Sequence, residues 1–478
     1  MKNQKLLIEY TPDFVRAALF EDGKLCELHH ERPQNTKKTE SLYWGRVVSI
    51  RPSVGAAFVD IGLDLHAFLP LEEGKRIKCG DCLIVQGIAV QSVDSKGMRI
   101  SDRINLAGKW LVLVPGDHGV HISKKIKDGQ LREALTHAVE DVCPENCGLI
   151  VRTASADVTR DMLVNEARAL EQLWHDIQLK AKGMTRPGIL HEPLGLEQQL
   201  IRDVGSTLSS IVVNDAKAAE RIGCMKESGW IPLTVNVEFF EERTQLLCDV
   251  YSIDPQVDKA LKKRVWLDCG GYLVIDLCEA LTVIDVNSGK MVLGRDTEDT
   301  AFRVNLEAAR EIARQIRLRD IGGIIIVDYI DMMNEQHRQQ LLQVICDEAK
   351  NDRSQVTVAG MTKLGLVEMT RKRKGVQLDK ALRVSCKTCG GCGQMLSADE
   401  NAFRALRQVR RMIVAGQRGP FLIHCALPVV QALASLTAPD HKHAVYAVAE
   451  NGWHFERFEI NQLDDRAPLT KKAVQLKG

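Results

Sequence analysis

The chain has 478 residues, 45% of them apolar and 27% charged, which is the balance of an ordinary globular protein. Because a single domain has ~150 residues, we expect several domains. The composition excludes a largely disordered chain, a collagen-like repeat and a small disulfide scaffold. The 64 Lys and Arg residues nearly cancel the 63 Asp and Glu residues, so any nucleic-acid partner must be held by local basic patches.

The beginning of the chain and its cysteines bear on where the protein works. Charged side chains interrupt residues 1–20, so we expect no signal peptide. No apolar run reaches the ~18 residues of a membrane-spanning helix. Most of the 14 cysteines stand alone among apolar residues, as core residues do in a reducing compartment. These features predict a cytoplasmic protein without a membrane segment.

Five short β-branched segments between Ser41 and Leu106 predict a small closed barrel of the oligonucleotide-binding type. Phe58 and Phe68 fall on neighbouring strands of this barrel. Such rings can stack on nucleic-acid bases at ~1–3 kcal/mol each. The alternative is that both rings belong to the barrel core. The stretch 46–70, with GAAFVDIG and HAFLP, is similar to the S1 class of RNA-binding barrel, which favours stacking.

Residues 105–195 alternate strand-like and helical patterns and predict an α/β insertion. A helix is predicted over Glu197–Ile211, and strand-like segments follow, one of them at Gln245–Val250. Within the insertion, Arg152 and Thr153 end a predicted strand. A guanidinium fork beside a hydroxyl suits a terminal phosphate, although the pair alone does not define a site.

A βαβ unit is predicted in the second half of the chain. Two apolar runs, Gly271–Ile275 and Leu281–Val286, predict a hairpin. The segment Thr300–Leu318 has one apolar helix face, with Asp299 as the predicted N-cap. The β-branched run Ile324–Val327 then predicts a strand that is buried on both faces of a parallel sheet.

Asp285 and Asp328 end the two strands of this unit. Because paired parallel strands lie ~4.8 Å apart, the two carboxylates can share one cation. Mg²⁺ typically takes one or two carboxylates and keeps waters and substrate phosphate oxygens. Asn287, two residues on, can orient a water or the phosphate. The alternative is that each aspartate is only a turn former or a helix cap, as we interpret Asp276 and Asp331 to be.

Cys386 and Cys389 form a Cys-x-x-Cys motif in a glycine-rich segment that also contains Cys392. Two thiolates at this spacing can reach a tetrahedral Zn²⁺. A closed structural site needs four ligands, so either a second copy of the chain completes it or it is not a zinc site. A redox disulfide is the alternative, although the expected strand-to-helix context is lacking.

The S1-like barrel, IDVNSG at 284–289, LRDIGGIIIVD at 318–328 and the Cys-x-x-Cys motif occur in this order. Together they resemble the ribonuclease E/G family of bacterial endoribonucleases, over nearly the whole length. The resemblance implies a multidomain α/β fold with these parts: a ribonuclease-H-like subdomain (1–40 plus 198–258), an S1 barrel (41–104), a 5′-sensor subdomain (105–197), a deoxyribonuclease-I-like catalytic subdomain (259–382), a zinc link (383–396) and a small C-terminal α/β domain (397–478).

The resemblance also implies roles for the catalytic and metal-binding candidates. Asp285 and Asp328 match the Mg²⁺-binding aspartates, and Asn287 matches the asparagine beside them. Cys386 and Cys389 match the zinc link, in which two protomers supply two thiolates each to form a homodimer or homotetramer. Lys387 departs from this pattern, because the family usually has a proline after the first cysteine.

The RNA-contacting candidates follow from the same resemblance. Phe58, Phe68 and Lys96 match RNA-contacting positions of the barrel. Arg152 and Thr153 match the pair that grips a 5′-monophosphate. The segment 124–125 carries two lysines where the family tends to have arginines, and a lysine lacks the bidentate fork of arginine.

The expected activity is that of a Mg²⁺-dependent endoribonuclease. It would cut single-stranded RNA in rRNA maturation and mRNA turnover, stimulated by a 5′-monophosphate, and leave 5′-phosphate and 3′-hydroxyl ends. The alternative is a non-catalytic RNA-binding scaffold of the same fold.

Overall fold

The computed structural model describes residues 3–31, 40–71, 77–89, 97–156, 158–289, 297–373, 375–436, 443–463 and 473–476. The chain forms two compact units, Met1–Asp379 and Lys380–Gly478. Across these described ranges, no helix is both long enough and apolar enough to cross a membrane.

The β-strands in chain order are β1 (Gln4–Tyr10), β2 (Val15–Glu21), β3 (Lys24–Glu31), β4 (Leu42–Arg51), β5 (Ala56–Asp60), β6 (Ala67–Pro70), β7 (Cys82–Ala89), β8 (Arg99–Ser101), β9 (Leu106–Ala107), β10 (Leu111–Pro115), β11 (Gly119–Ile122), β12 (Cys147–Val151), β13 (Gly188–His191), β14 (Ser210–Val213), β15 (Asn236–Phe239), β16 (Arg264–Trp266), β17 (Tyr272–Leu277), β18 (Leu281–Asn287), β19 (Gly323–Asp328), β20 (Val356–Met361), β21 (Leu366–Arg371), β22 (Phe421–Cys425), β23 (Val445–Ala449), β24 (Phe458–Gln462) and β25 (Val474–Gln475).

The α-helices are α1 (Gly129–Glu140), α2 (Arg160–Gly183), α3 (Leu196–Val204), α4 (Ala216–Glu227), α5 (Leu247–Val250), α6 (Ile253–Ala260), α7 (Thr297–Leu318), α8 (Glu335–Lys350), α9 (Leu378–Leu382), α10 (Ala398–Val414) and α11 (Leu427–Ala434). Single 3₁₀ turns lie at Pro52–Val54 and Thr153–Ser155.

A mixed five-stranded sheet joins the start of the chain to residues far along the sequence. Its order is β15-β14-β1-β2-β3, with β1 parallel to β14 and antiparallel to β2. Side chains alternate between the two faces of a strand, so Leu6 and Ile8 pack with residues of α3 and α4, whereas Leu7 packs with residues of α5 and α6. The sheet is therefore covered on both faces.

The predicted barrel is a closed five-stranded barrel of the kind expected for an S1 or oligonucleotide-binding domain. Its strands run in the order β4-β5-β6-β8-β7, and β4 closes the ring by pairing with β7. Aliphatic side chains such as Val47, Val59 and Leu69 fill its interior. The following residues form a second sheet, β11-β12-β10-β9, whose core includes residues of α1 and α2.

The sheet that carries the candidate aspartates has the order β16-β17-β18-β19-β21-β20. The predicted hairpin is β17 with β18, and the predicted βαβ unit is β18, α7 and the parallel strand β19. Buried aliphatic side chains of β18, β19, α7 and α8 form its core. The second unit has its own four-stranded sheet, β24-β22-β23-β25, packed against α10 and α11.

Four local predictions are wrong. The run Ile324–Val327 forms a strand, but this strand is not buried on both faces, since Ile324 is exposed. The sheet is also mixed rather than parallel, because β19 pairs antiparallel with β21.

The other three wrong predictions concern helices. The helix predicted over Glu197–Ile211 ends at Val204, because Ser210 and Ile211 pair with β1. The segment Gln245–Val250 contains a helical turn, α5, which buries Leu247 in the core below the first sheet. Asp299 is not an N-cap, since α7 already begins at Thr297.

Candidate active site

The two candidate catalytic aspartates stand directly opposite each other across two parallel strands. In the register of β18 and β19, Asp285 pairs with Asp328. The preceding residues, Ile284 and Val327, are fully buried, whereas both aspartates are exposed. The alternation of the strands therefore places two carboxylates side by side near the carboxyl ends of β18 and β19.

These carboxylates act on one another electrostatically. The pKa of Asp328 is raised above its usual value, first by the partial desolvation of its carboxylate at the strand edge and then by the negative charges of Asp285 and Asp331. Asp331 is not the cap of the next element, because Asn334 caps α8. Asp276 lies in β17 and forms an ion pair with Lys263 instead. A cation bound beside Asp285 and Asp328 would relieve their repulsion.

Asn287 orients one of the two carboxylates. Its side-chain amide nitrogen donates a 2.7 Å hydrogen bond to Oδ2 of Asp285. This bond leaves the amide oxygen of Asn287 at the same strand edge, where it can accept a hydrogen bond from a water.

The loop after Asp328 is held by helix α7. The side chain of Asn305, which is fully buried, donates to the carbonyl of Ile330 at 2.8 Å and accepts from its N–H at 3.1 Å. The carboxylate of Glu298 accepts from the N–H groups of Met333 and Asn334. Sequence reasoning missed both residues. For Asn305 a signal existed, since it is a polar residue beside the apolar positions of the predicted helix.

The donor set at the strand edge fits Mg²⁺. In the part of the chain that the structure describes, no group of three or more His, Cys, Asp or Glu side chains is arranged to hold a metal. Two carboxylates, with the remaining positions left to water and phosphate oxygens, are the set that Mg²⁺ commonly uses. Asp285 and Asp328 are the residues that could hold it.

The cysteine segment contains the two thiols that the sequence predicts as zinc ligands. Backbone N–H groups of Cys389 and Thr388 lower the pKa of the Cys386 thiol, and the N–H of Gly393 donates to Sγ of Cys389 at 3.3 Å. Cys392 differs, since its Sγ lies 2.9 Å from the carbonyl oxygen of Cys389, to which the thiol donates. The lowered pKa favours the thiolate form of Cys386, which is the form that binds a metal.

Arg152 and Thr153 lie directly after β12. This strand belongs to a different sheet from the strands that carry the aspartates. Nη1 of Arg152 donates to the carbonyls of Gly108 and Lys109, and Nη2 donates to Asp203 at 2.8 Å. The hydroxyl of Thr153 lies 3.1 Å from that of Ser123, which precedes the exposed Lys124 and Lys125. The arrangement combines a fixed guanidinium, two hydroxyls and two lysines, which together suit a phosphate.

The two barrel phenylalanines are neighbours on the outer surface of the barrel wall. Phe58 pairs with Phe68 in the register of β5 and β6, and their ring centroids lie 6.0 Å apart, edge to face. Both rings are half-buried, whereas the adjacent Val59 and Leu69 belong to the barrel core. Arg99 pairs with Phe68 from β8 and is exposed. Lys96 lies outside the described residues.

Comparison with known proteins places this chain in a family. Residues 105–374 match the family model "Ribonuclease E/G family". The chain is 34% identical over 451 residues to ribonuclease G of Escherichia coli K12, with 90% of this chain and 92% of the relative covered. It is 35% identical to ribonuclease G of Haemophilus influenzae, with 90% and 91% covered.

The chain also matches a longer relative, of which the alignment covers less than half. Ribonuclease E of Escherichia coli K12 is 31% identical over 471 residues, which cover 93% of this chain and 43% of that protein. The chain belongs to the ribonuclease E/G family.

Proposed function

We propose that this protein is a Mg²⁺-dependent endoribonuclease that cuts single-stranded RNA and leaves 5′-phosphate and 3′-hydroxyl ends. Membership of the ribonuclease E/G family supports an endoribonuclease. The observation that carries the proposal is the register of β18 and β19, which sets Asp285 directly against Asp328. Two adjacent, accessible carboxylates at a strand edge suit a site that handles a phosphodiester through a divalent cation.

In this proposal Asp285 and Asp328 would hold Mg²⁺, which would supply Lewis-acid chemistry at the scissile phosphate. Asn287 keeps the Asp285 carboxylate oriented through the 2.7 Å bond from its amide. Asn305 and Glu298 fix the loop that follows Asp328. These residues maintain the geometry that an in-line attack on phosphorus requires.

The rest of the first unit would bind the RNA strand. Phe58 and Phe68 present half-exposed rings on which bases can stack, and Arg99 lies beside them for the phosphate backbone. Arg152 and Thr153 would hold a 5′-monophosphate and so stimulate cleavage. Lys96 is proposed as a further RNA contact from the resemblance alone. Transcripts in rRNA maturation and mRNA turnover are the proposed substrates, and the cytoplasm is the proposed location.

The second unit would assemble the enzyme. Cys386 and Cys389 of two protomers would supply four thiolates to one structural Zn²⁺, which gives a homodimer or a homotetramer built from dimers. The subdomains predicted from the sequence, from the ribonuclease-H-like part to the zinc link, are proposed with the boundaries given above.

A cleavage assay with matched aspartate variants tests the proposal. The purified protein is incubated with a 5′-monophosphorylated, A/U-rich single-stranded RNA, first with Mg²⁺ and then with EDTA. We expect fragments only with Mg²⁺, and none from Asp285→Asn or Asp328→Asn. Asp276→Asn is the control, since Asp276 lies on the neighbouring strand and pairs with Lys263. RNA binding without metal-dependent fragments would favour the scaffold alternative.

A further inference from the structure

The arginine proposed to hold the 5′ end of RNA is itself held by a set of fixed acceptors. Two backbone carbonyls, those of Gly108 and Lys109, accept from its Nη1. Those carbonyls belong to a backbone segment that the buried Glu166 fixes by accepting from the N–H groups of Lys109, Trp110 and Leu111. The third acceptor of Arg152 is Asp203, in the last turn of α3.

Among the described residues, Asp203 is the only carboxylate that forms an ion pair with Arg152. Burial alone would raise the pKa of Asp203, yet its arginine neighbours hold the pKa below its usual value, so it is ionised. Arg202 donates to it at 3.0 Å, and Nη1 of Arg353 lies 3.8 Å from its second oxygen. Arg353 is bound in turn by Glu27 in β3. Several elements of the first unit thus fix the position of Asp203.

The bond to Asp203 leaves part of the Arg152 guanidinium available. Across the described part of the chain, its Nε–H has no hydrogen-bond partner, and Nη2 donates only to Asp203. The side chain of Arg152 is 27% exposed. A phosphate can therefore take Nε–H and the second Nη2 hydrogen together, which is the bidentate mode that arginine favours for anions.

We propose that Asp203 is a positioning residue for recognition of the RNA 5′ end: it holds the Arg152 guanidinium so that the edge carrying Nε faces an incoming 5′-monophosphate. The inference rests on the proposed role of Arg152 in 5′-end binding. The charge of Asp203 does not block the phosphate, because Arg202 and Arg353 already balance it. The benefit of holding the Arg152 guanidinium in place therefore outweighs the repulsion between Asp203 and the phosphate. Losing the Asp203 carboxylate weakens 5′-end recognition.

Two RNAs that differ only at the 5′ end test this assignment. One carries a monophosphate and the other a hydroxyl. Binding is measured by fluorescence anisotropy with Asp328→Asn protein, which is expected not to cut, and cleavage is measured with otherwise unchanged protein. The readout is the preference for the monophosphate: the Kd of the hydroxyl RNA divided by that of the monophosphate RNA, and the corresponding ratio of cleavage rates. We expect Asp203→Asn to lower this ratio at least about fivefold, as the loss of a charge-assisted hydrogen bond predicts, and Asp203→Glu to restore part of it.

Two controls separate positioning from a general disturbance. Asp141→Asn removes an exposed aspartate–arginine pair, with Arg160, and Asp254→Asn removes another such pair, with Arg16, from the same unit. Both should keep the ratio within about twofold, since neither pair includes Arg152 or Asp203. Unfolding curves of all variants confirm that they are folded.

An unchanged or increased ratio in Asp203→Asn would overturn the inference, as would an equal loss in Asp141→Asn. A wild-type ratio of one would overturn it as well, because no 5′-end recognition would exist to be positioned. Failure of the nuclease proposal looks different: neither RNA would be cut with Mg²⁺, whatever the binding ratio.

Discussion

Asn305 grips both polar groups of the Ile330 backbone, donating to its carbonyl and accepting from its N–H. Asn305 lies in α7, the helix that connects β18 to β19, and Ile330 follows Asp328 by two residues. Helix α7 therefore not only connects the two strands but also fixes the backbone of the loop that follows Asp328.

Replacing Asn305 by alanine should lower both stability and cleavage. The change leaves two backbone groups of Ile330 without their partner, and an unsatisfied buried polar group costs about 1–3 kcal/mol. Urea unfolding followed by circular dichroism measures the first effect, and the RNA cleavage rate measures the second. Gln343→Ala on the exposed side of α8 is the control. Wild-type cleavage in a destabilised Asn305→Ala protein would show that the loop needs no clamp.

Neutralising Asp328 should slightly stabilise the metal-free protein at neutral pH. The pKa of Asp328 is raised, so the folded protein disfavours the ionised form, and this penalty appears as the pH rises above the ordinary pKa of an aspartate. Asp328→Asn removes this penalty. We expect the free energy of unfolding to rise by roughly a few tenths of a kcal/mol and the Tm by about 1 °C. The gain should shrink as the pH falls towards 4, because Asp328 then becomes protonated. Thermal unfolding in EDTA at several pH values measures it, and a gain that grows on acidification would contradict the assignment.

Arg317 should be essential for the stability of the first unit. It is buried at the end of α7 and pairs with Glu21 at 2.6 Å and with Glu27 at 3.4 Å. Arg317→Gln leaves two buried carboxylates short of a partner, which typically costs about 3–5 kcal/mol. Arg310→Gln, on an exposed position of the same helix, should change stability by less than about 0.5 kcal/mol. Urea unfolding compares the two.

The same cluster predicts sensitivity to acid. Burial alone would raise the pKa of Glu27, but Arg353 and the other cations around it hold the pKa well below its usual value. A lowered pKa contributes stability above the ordinary glutamate pKa, and this contribution is lost as the pH falls below it. Glu27→Gln should therefore reduce stability at pH 7 and have a smaller effect at pH 3.

The zinc proposal predicts different effects of replacing the three cysteines in the segment 386–392. Cys386→Ser with Cys389→Ser should abolish bound zinc and convert the dimer to single protomers, measured by metal analysis and by light scattering after size exclusion. Cys392→Ser should keep both the zinc and the dimer, because its thiol donates to backbone carbonyls. A zinc-free dimer in the double variant would count against the link.

The barrel phenylalanines should contribute to RNA affinity more than to stability. Phe58→Ala or Phe68→Ala removes a half-exposed ring, and losing one stacked base costs about 1–3 kcal/mol, or about 5- to 150-fold in Kd. Ile88→Ala, at an exposed position on the same barrel, is the control and should leave Kd unchanged. Anisotropy with a short single-stranded RNA measures the effect; equal affinities would assign both rings to structure.

Local patterns predicted the core of the candidate site well. The β18–α7–β19 unit was predicted because Ile324–Val327 is a continuous β-branched run and α7 repeats its apolar residues with the period of a helix. From that topology alone, Asp285 and Asp328 could be expected to be neighbours.

Contacts between distant segments could not be predicted in the same way. The pairing of Arg152 with Asp203 depends on how a helix ends relative to a remote strand, and nothing in either local sequence encodes it. The same limit applies to Glu27, in β3, and Arg353, in the loop between α8 and β20. Short apolar segments such as 245–250 fit a strand or a helical turn equally well, and only packing decides between them.

The parallel pairing of β1 with β14 has a consequence for how the protein is made. Lys5 meets Ser210, about 205 residues later in the chain. At a synthesis rate of about 5–20 residues per second, a ribosome needs roughly 10–40 s to deliver that partner. During this interval the edge of β1 that later pairs with β14 has no strand partner, and an unpaired strand edge can pair with another chain.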